Sequence, residues 1–292
     1  MPMQQLDAPS LMREAVNGIS FFTDQNLFEA TGIRIAFSER EGGVSACPYA
    51  TLNLGLHVGD NREDVWHNRH ALAQATGLSD EAIDHISSAE QVHGIHIEEV
   101  SAKRAQALEK DPEPFSATDA LITNQKDVPL LLCFADCVPV ILVSPCEPCA
   151  IAVVHSGWRG TLEEISAEAL LALTEAYGVD PTHVFAYIGA YIGPKNFAVS
   201  LDIASQFAAK FDTLNNVISP ERQVEYLRND RGEITVKFDL ADAIVESLTK
   251  QGVLPCNIVS LDVCSVETTD HFFSYRAEQG ITGRHGALAC LS

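Results

Sequence analysis

The sequence predicts an α+β protein of a single domain, in which mixed, largely antiparallel β-sheets are flanked by helices. Three observations carry this. Two β-branched apolar runs, Val138 to Val143 and Ala150 to Val154, flank the turn-forming Ser144-Pro-Cys-Glu-Pro-Cys149, which is a hairpin signal. Several further short strand-like runs are interspersed with capped helical stretches. Across 292 residues neither an internal repeat nor a linker divides the chain.

Taken in order, residues 1–30 form a poorly defined N-terminal segment, with a short helix expected over Ser10 to Val16 and a strand over Ile19 to Phe22. Ile33-Arg-Ile-Ala-Phe37 alternates as a strand does and runs into Ser38-Glu-Arg-Glu-Gly-Gly-Val-Ser45, whose paired glycines suit a tight turn or the close approach of a ligand. Thr51 to Asp60 reads as another alternating strand containing Asn53. Asp60 is then a cap for a helix from about Arg62 to Thr76, closed by Gly77, with Arg69 on or beside its apolar face. An arginine there serves either a buried ion pair or a substrate.

A short helix over Ser79 to His85 precedes a strand-like run, Ile86 to Ile97, where Gly94 leaves room beside the ring of His93. Ser101 to Thr118 is a polar surface excursion with a helical piece. Asp119-Ala-Leu-Ile-Thr123 and Pro129-Leu-Leu-Leu-Cys-Phe134 are strands, the second leading into the hairpin. Beyond the hairpin, Ser156-Gly-Trp-Arg-Gly-Thr161 is a Gly-rich turn capped by Thr161 at the head of a helix, Leu162 to Tyr177. A helix N-terminus beside Arg159 is a natural anion site, although Trp158 and Arg159 could equally stack to close the loop. Val184 to Pro194 is a strand opening into a loop, residues 200–213 a helix, and 215–232 polar and turn-rich. A helix over Asp239 to Gln251, a strand over Ile258 to Cys264, a basic and aromatic cluster and a last strand complete the chain.

Composition narrows the function. Nineteen basic against forty acidic residues give a formal charge of −21, which repels nucleic acid and anionic membrane, so neither is an expected partner. No apolar run approaches the roughly 20 residues that cross a bilayer. No secretory signal is visible in Met1 to Ser10, so a cytoplasmic location is expected, and eight scattered cysteines suit a reducing compartment without bridges. P-loop and G-x-G-x-x-G motifs are both absent.

The residues that point to chemistry are His93, Cys137 and His155. If the hairpin pairs so that opposed residue numbers sum to about 293, Cys137 faces His155 or Ser156. A Cys with two His is a sufficient ligand set for a catalytic zinc with one open position, and a thiol beside an imidazole is equally a nucleophile with its base. Cys146-x-x-Cys149 has the spacing of half a structural zinc site, but no second pair accompanies it.

Ser38-x-Arg-x-Gly-Gly-x-Ser45, Leu52-Asn-Leu-Gly-Leu-His-Val-Gly-Asp60 with Asn68-Arg69, Gln91-Val-His-Gly94, Ala135-Asp-Cys-Val-Pro139, Val154-His-Ser-Gly-Trp-Arg-Gly-Thr161, Phe272-Phe-Ser-Tyr-Arg276 and Thr282-Gly-Arg284 together resemble the YfiH/LACC1 family. Its members have been labelled multicopper polyphenol oxidase, purine nucleoside phosphorylase and peptidoglycan editing factor. The resemblance implies a CNF1/YfiH-like α+β domain, zinc (copper being the alternative) held by His93, Cys137 and His155, and phosphorolysis of adenosine, inosine, guanosine or methylthioadenosine, with adenosine deamination in the same pocket. It places Asn53 and Arg69 near nucleoside or phosphate, and Arg159 or Arg276 would join Arg69 on the phosphate. The expected partners are a purine nucleoside and phosphate, and the expected assembly is a monomer or homodimer. Where relatives show an Ile-Gly-Pro segment followed by Cys and an aromatic-acidic run, Ile192-Gly-Pro-Lys-Asn-Phe-Ala-Val199 has Lys195 and no acid, which leaves substrate preference open. A cysteine hydrolase acting on cell-wall precursors, a copper oxidase of phenols and a non-catalytic zinc-stabilised binding protein are the competing readings.

Overall fold

The computed structural model describes residues 6–106, 114–214, 227–228 and 234–292. Two sheets form its centre. One runs in the order β1 (Met12–Val16), β2 (Ile19–Thr23), β3 (Arg34–Ser38), β14 (His285–Cys290), β6 (Leu130–Phe134). The other has the order β13 (Ile258–Ser260), β9 (Phe185–Ile188), β7 (Val138–Ser144), β8 (Ala150–Ser156), β5 (Ala120–Thr123), β4 (Ile97–Glu99). Only β4 on β5 and β13 on β9 pair in parallel within these two sheets.

Alternation along the strands explains the layering, because successive side chains point to opposite faces. Ile141, Val143, Ile151 and Val153 of the hairpin pack on Phe37, Leu132, Phe134 and Ala287 of the other sheet. Val140, Leu142, Ala152 and Val154 turn the other way, onto Ala169, Leu170 and Leu173 of α6 (Ile165–Tyr177) and Ile244 and Leu248 of α8 (Leu240–Lys250). On the far side, Ala36, Leu131 and Leu288 cover Leu72 of α2 (Arg62–Ala75) and Ala82 of α3 (Asp80–Ile83). The result is a mixed α/β single domain layered helix, sheet, sheet, helix. Burial on both faces is why the hairpin strands read as unbroken apolar runs rather than alternating ones. The remaining elements are α1 (Gln25–Thr31), α4 (Ala102–Gln106), α5 (Trp158–Leu162), α7 (Leu201–Lys210) and a small sheet, β10 (Ala198–Ser200), β12 (Ile234–Lys237), β11 (Leu227–Arg228).

Several expectations are corrected. Ser10 to Val16 is not a helix: Met12–Val16 pairs with Ile19–Thr23 across Asn17-Gly18. Both turn residues have positive φ, 52° and 84°, which the two-residue hairpin turn requires and an Asn-Gly pair supplies. Thr51 to Asp60 is no strand, because Asn53 Nδ2 donates to Asp60 Oδ2 at 2.8 Å and closes the segment on itself. Ile86 to Ile97 is largely irregular, and α2 is capped by Asn61, not Asp60. The helix expected over Leu162 to Tyr177 is two helices, broken where Glu164 takes φ 60°. Thr161 lies within α5, its hydroxyl against Ser156 Oγ at 2.8 Å. Of the expected N-terminal segment, residues 1–5 lie outside the described residues, as do 107–113 of the polar excursion and most of the turn-rich 215–232. All eight cysteines are free, and no helix among the described residues is long and apolar enough to cross a membrane.

Candidate active site

The hairpin register differs from the expected one by a single position. Val138 pairs with Ser156 and Pro139 with His155, because the turn holds five residues, Pro145 to Cys149. Cys137 therefore stands two positions before the residue opposite His155, and the two side chains meet on the diagonal of one face, which such neighbours reach. That face looks between the two sheets, at the open end of the sandwich.

His93 enters from the irregular segment, where its backbone takes φ 63°. The conformation turns three successive amides toward one carboxylate: Val92, His93 and Gly94 donate to Asp119 at 3.2, 2.9 and 2.7 Å. Asp119, fully buried at the head of β5, also accepts from His155 Nδ1 at 2.7 Å. An ionised carboxylate only accepts, so Nδ1 carries a proton and Nε2 of His155 is the nitrogen turned to the site. One side chain thus fixes both histidines. Burial raises the carboxyl's pKa, but the hydrogen bonds and charge of His155 with the two amides outweigh it and leave it below the ordinary value.

His93 Nε2 lies 3.6 Å from Cys137 Sγ, and the ligand atoms of His93, Cys137 and His155 all fall within 4.8 Å of one another. Gly157 makes this convergence sterically feasible, since a Cβ there would stand 2.8 Å from His93 Cδ2 and 3.3 Å from Cys137 Sγ. Burial raises the Cys137 thiol, yet the positive charge of His155 and hydrogen bonds from both histidines prevail and bring it down to about 6. Burial alone would lower His155, but the Cys137 thiolate and Asp119 bring it up to about 9. Each charge thus favours the other, and a metal ion bound here would take the place of the Nε2 proton.

The donor set fits a tetrahedral ion. Zinc bonds of about 2.3 Å to sulfur and about 2.0 Å to nitrogen place S and N roughly 3.6 Å apart at the tetrahedral angle, the separation found for His93 and Cys137. Among the described residues it is also the one group of three or more such ligands brought together.

A cavity of about 480 Å³ opens over these residues, with Trp158, Ile192, Phe197, Leu240 and Tyr275 as its apolar walls. Asp136 lines it too. At φ 95° beside Cys137, it accepts from Ser265 Oγ at 2.7 Å and from the Arg276 amide at 2.6 Å, fastening the chain's tail to the hairpin mouth.

Of the four expected substrate residues, only Arg276 lines this cavity, its Nη1 donating to Asn196 O at 3.1 Å. Arg69 lines a neighbouring cavity. Arg159 is exposed and stacks on Trp158 with its Cζ 4.5 Å from the ring centroid, so it closes the loop instead of facing the cavity. Asn53 lines neither cavity and is fully buried. Its Oδ1 accepts from the amides of Gly55 and Arg284 and its Nδ2 donates to Asp60, leaving it to hold a loop. Asp119, Asp136, His57, Gln91 and Arg284 were not singled out by residue. All but Asp119 sit inside the quoted motifs, and the signal for Asp119 is a carboxylate heading an otherwise apolar strand.

Comparison with known proteins finds relatives along most of the chain. The sequence model of the family described as multi-copper polyphenol oxidoreductase laccase matches residues 34–292. The purine nucleoside phosphorylase YlmD of Geobacillus stearothermophilus is 31% identical over 254 residues, 87% of this chain and 88% of that protein. A purine nucleoside phosphorylase of Corynebacterium glutamicum is 33% identical over 260 residues, 89% of this chain and 94% of that one. The crystal structure of the Geobacillus YlmD superposes with a TM-score of 0.80 at 29% identity, covering 97% of this chain and 99% of its own. That of the Bacillus licheniformis hypothetical protein YfiH gives 0.80 at 25% identity, covering 95% and 97%.

Proposed function

From a chain that belongs to the multi-copper polyphenol oxidoreductase laccase family, we propose a zinc-dependent purine nucleoside phosphorylase. Adenosine, inosine, guanosine and methylthioadenosine are its candidate nucleosides, and hydrolytic deamination of adenosine is a side activity of the same pocket. The observation that carries the reading is the convergence of His93, Cys137 and His155 beneath a cavity of nucleoside size, in a chain 31% identical to a protein named for that activity. In the reaction the C1′–N9 bond breaks with its electron pair passing to N9. A phosphate oxygen forms the new bond to C1′, and the proton of hydrogen phosphate finishes on the base. Zinc held there supplies positive charge that polarises an oxygen or lowers the pKa of a water. The chain supplies the rest: Trp158, Phe197 and Tyr275 give the base flat apolar surface and exclude water, the Asp136 carboxylate offers an acceptor to an N–H or hydroxyl, and Arg276 and Arg69 offer paired donors to oxyanions.

One observation favours a second reading. Asp119, His155 and Cys137 form a carboxylate, imidazole and thiol series, the arrangement of a cysteine hydrolase. His93 separates the two, because Asp119, His155 and Cys137 complete the hydrolase series without it whereas a metal needs it as a ligand. If Cys137 is a zinc ligand, His93→Ala and Cys137→Ala both lose metal and phosphorolysis, the parent carries about one zinc per chain, and iodoacetamide labels Cys137 slowly until zinc is stripped. A zinc-free His93→Ala protein that cleaves inosine at near the parent rate sinks the metal reading.

A further inference from the structure

Behind the metal pocket lies a second cavity of about 440 Å³, and the two share one wall, made of His57, Gln91 and Cys133. An arginine stands on each side. Arg69 lines the second cavity and Arg284 the first.

Neither guanidinium forms an ion pair with a carboxylate among the described residues. Arg69 is 3% exposed and donates to Leu54 O at 2.9 Å and Ser88 Oγ at 3.2 Å, with the Cys133 thiol as a further hydrogen-bond partner. Arg284 Nη1 donates to the carbonyls of Thr282 and Gly283, both at 2.9 Å. Enclosing a charge without a paired carboxylate costs several kcal/mol, and burial lowers the pKa of both groups, Cys137 and Asp136 opposing it in part at the half-buried Arg284. Such a cost persists where an anion is to be received. Arg62 lines the second cavity as well. Its one acid, Glu90, is exposed, with Oε2 turned to Ser116 Oγ and the Ala117 amide at 3.4 Å.

The loop between the arginines is built to hold them there. Asn53 Oδ1 accepts from the amides of Gly55 and Arg284, and Leu54 links both arginines, its carbonyl accepting from Arg69 Nε and its amide donating to Arg284 O. Gly55 cannot carry a side chain, because a Cβ would meet Arg284 Cγ at 2.8 Å. His57, on the same loop, borders both cavities. Burial of its inner side, with the charges of Arg284, Arg69 and His155, lowers it to about 4, so it is a neutral donor at pH 7.

We propose that inorganic phosphate enters and binds through this second cavity, between Arg69 and Arg284 at the lining of His57, Gln91 and Cys133 that the two cavities share, while the nucleoside occupies the apolar pocket with its C1′ turned to that shared lining. The assignment rests on the phosphorylase reading for its consequence, but not for its detection. On a protein of charge −21, a phosphate dianion needs such a local positive channel.

The test measures inorganic phosphate binding to the zinc-loaded full chain by calorimetry without nucleoside, and the saturation kinetics of inosine and phosphate separately. Two variants are compared, Arg284→Gln, and Ala89→Phe, which narrows the second cavity without touching the first. The expected result is at least tenfold weaker phosphate binding and a matching rise in the phosphate KM in both, with the inosine KM within twofold of the parent. The proposal is overturned if the parent binds no phosphate, if both variants bind it as the parent does, or if inosine and phosphate saturation suffer equally. Phosphate binding that weakens as expected in a protein that cleaves no nucleoside upholds the anion site and rejects only the phosphorylase.

Discussion

Replacing Asp119 by Asn tests whether one carboxylate builds the metal site. Asp119 receives four donors, the amides of Val92, His93 and Gly94 and the Nδ1–H of His155, at 3.2, 2.9, 2.7 and 2.7 Å. Asparagine keeps one acceptor oxygen with two lone pairs and turns an NH2 toward the others, so two donors lose their partner. At about 1 kcal/mol or more for each stranded donor, near the lower end because the loop amides are only part-buried, the metal-free protein should lose about 2–3 kcal/mol. For a chain of this size that lowers Tm by about 3–5 °C. Metal binding suffers separately, because His155 loses the partner that fixes its tautomer and His93 its loop geometry. A 10–100-fold weaker zinc affinity is expected, about 1.4–2.7 kcal/mol. Competition with a chromogenic chelator at pH 7.5 gives the affinity, and calorimetric melting of the metal-free forms gives the stability. An Asp119→Asn protein that binds zinc within twofold of the parent, whatever its Tm, refutes the assignment.

Two further substitutions probe stability. Both ring nitrogens of the buried His285 lack a hydrogen-bond partner of good geometry; burial pushes its pKa down to about 3, the Ala190 backbone opposing and the charges of Arg284 and Arg40 assisting. Since the folded value lies below the ordinary 6.5, the unfolded chain takes up the proton first, and this contribution is whole above pH 6.5 and lost as pH falls toward 3. Between pH 7 and pH 5 the loss is about 2 kcal/mol at 1.36 kcal/mol per pKa unit. Urea unfolding of His285→Phe should lack that share of the acid slope, and an unchanged slope counts against a neutral buried His285. Asn68→Ala removes four hydrogen bonds, to Ser45 Oγ, Thr51 O and Asn53 O and from the Val44 amide. It should cost about 3–4 kcal/mol at roughly 1 kcal/mol each, measured as the shift in urea midpoint, and a loss under 1 kcal/mol argues that these loops are held otherwise.

The parts of the fold that were legible are those in which a local pattern and tertiary packing agree. The hairpin and strands β5 and β6 were readable because burial on both sheet faces leaves mostly apolar residues, and α2 because its cap and its apolar spacing mark a helix with one buried face. The errors fall where an interaction distant in sequence, or one backbone torsion, overrides the pattern. Thr51 to Asp60 alternates as a strand does, yet the Asn53 amide bonded to Asp60 and Arg284 makes it a loop. Glu164 at φ 60° divides a helix whose residues carry no breaker. Asn17-Gly18 is the reverse case, a turn written plainly in the sequence and hidden by the helix expected around it.

The site divides along the same line. The chemical identity of His93, Cys137 and His155 was open to sequence reasoning because few residue types bind metal or attack carbonyls. Their relation was not, since the shift of the hairpin register by one residue turns the expected direct pairing of Cys137 and His155 into a diagonal one. The diagonal matters chemically. A directly opposed pair would bring thiol and imidazole together with nothing between, whereas the offset leaves space that the third ligand fills: His93 reaches Cys137 Sγ at 3.6 Å and meets the His155 ring edge-on at 4.8 Å between centroids. Gly157, the residue after β8, opposes Cys137 in the continued register, and its missing side chain is where the His93 ring stands. The convergence of His93, Cys137 and His155 therefore follows from register, glycine and Asp119 acting together. Replacing Gly157 by Ala should expel His93 while leaving Cys137 beside His155, and so convert a metal site into a bare thiol and imidazole pair.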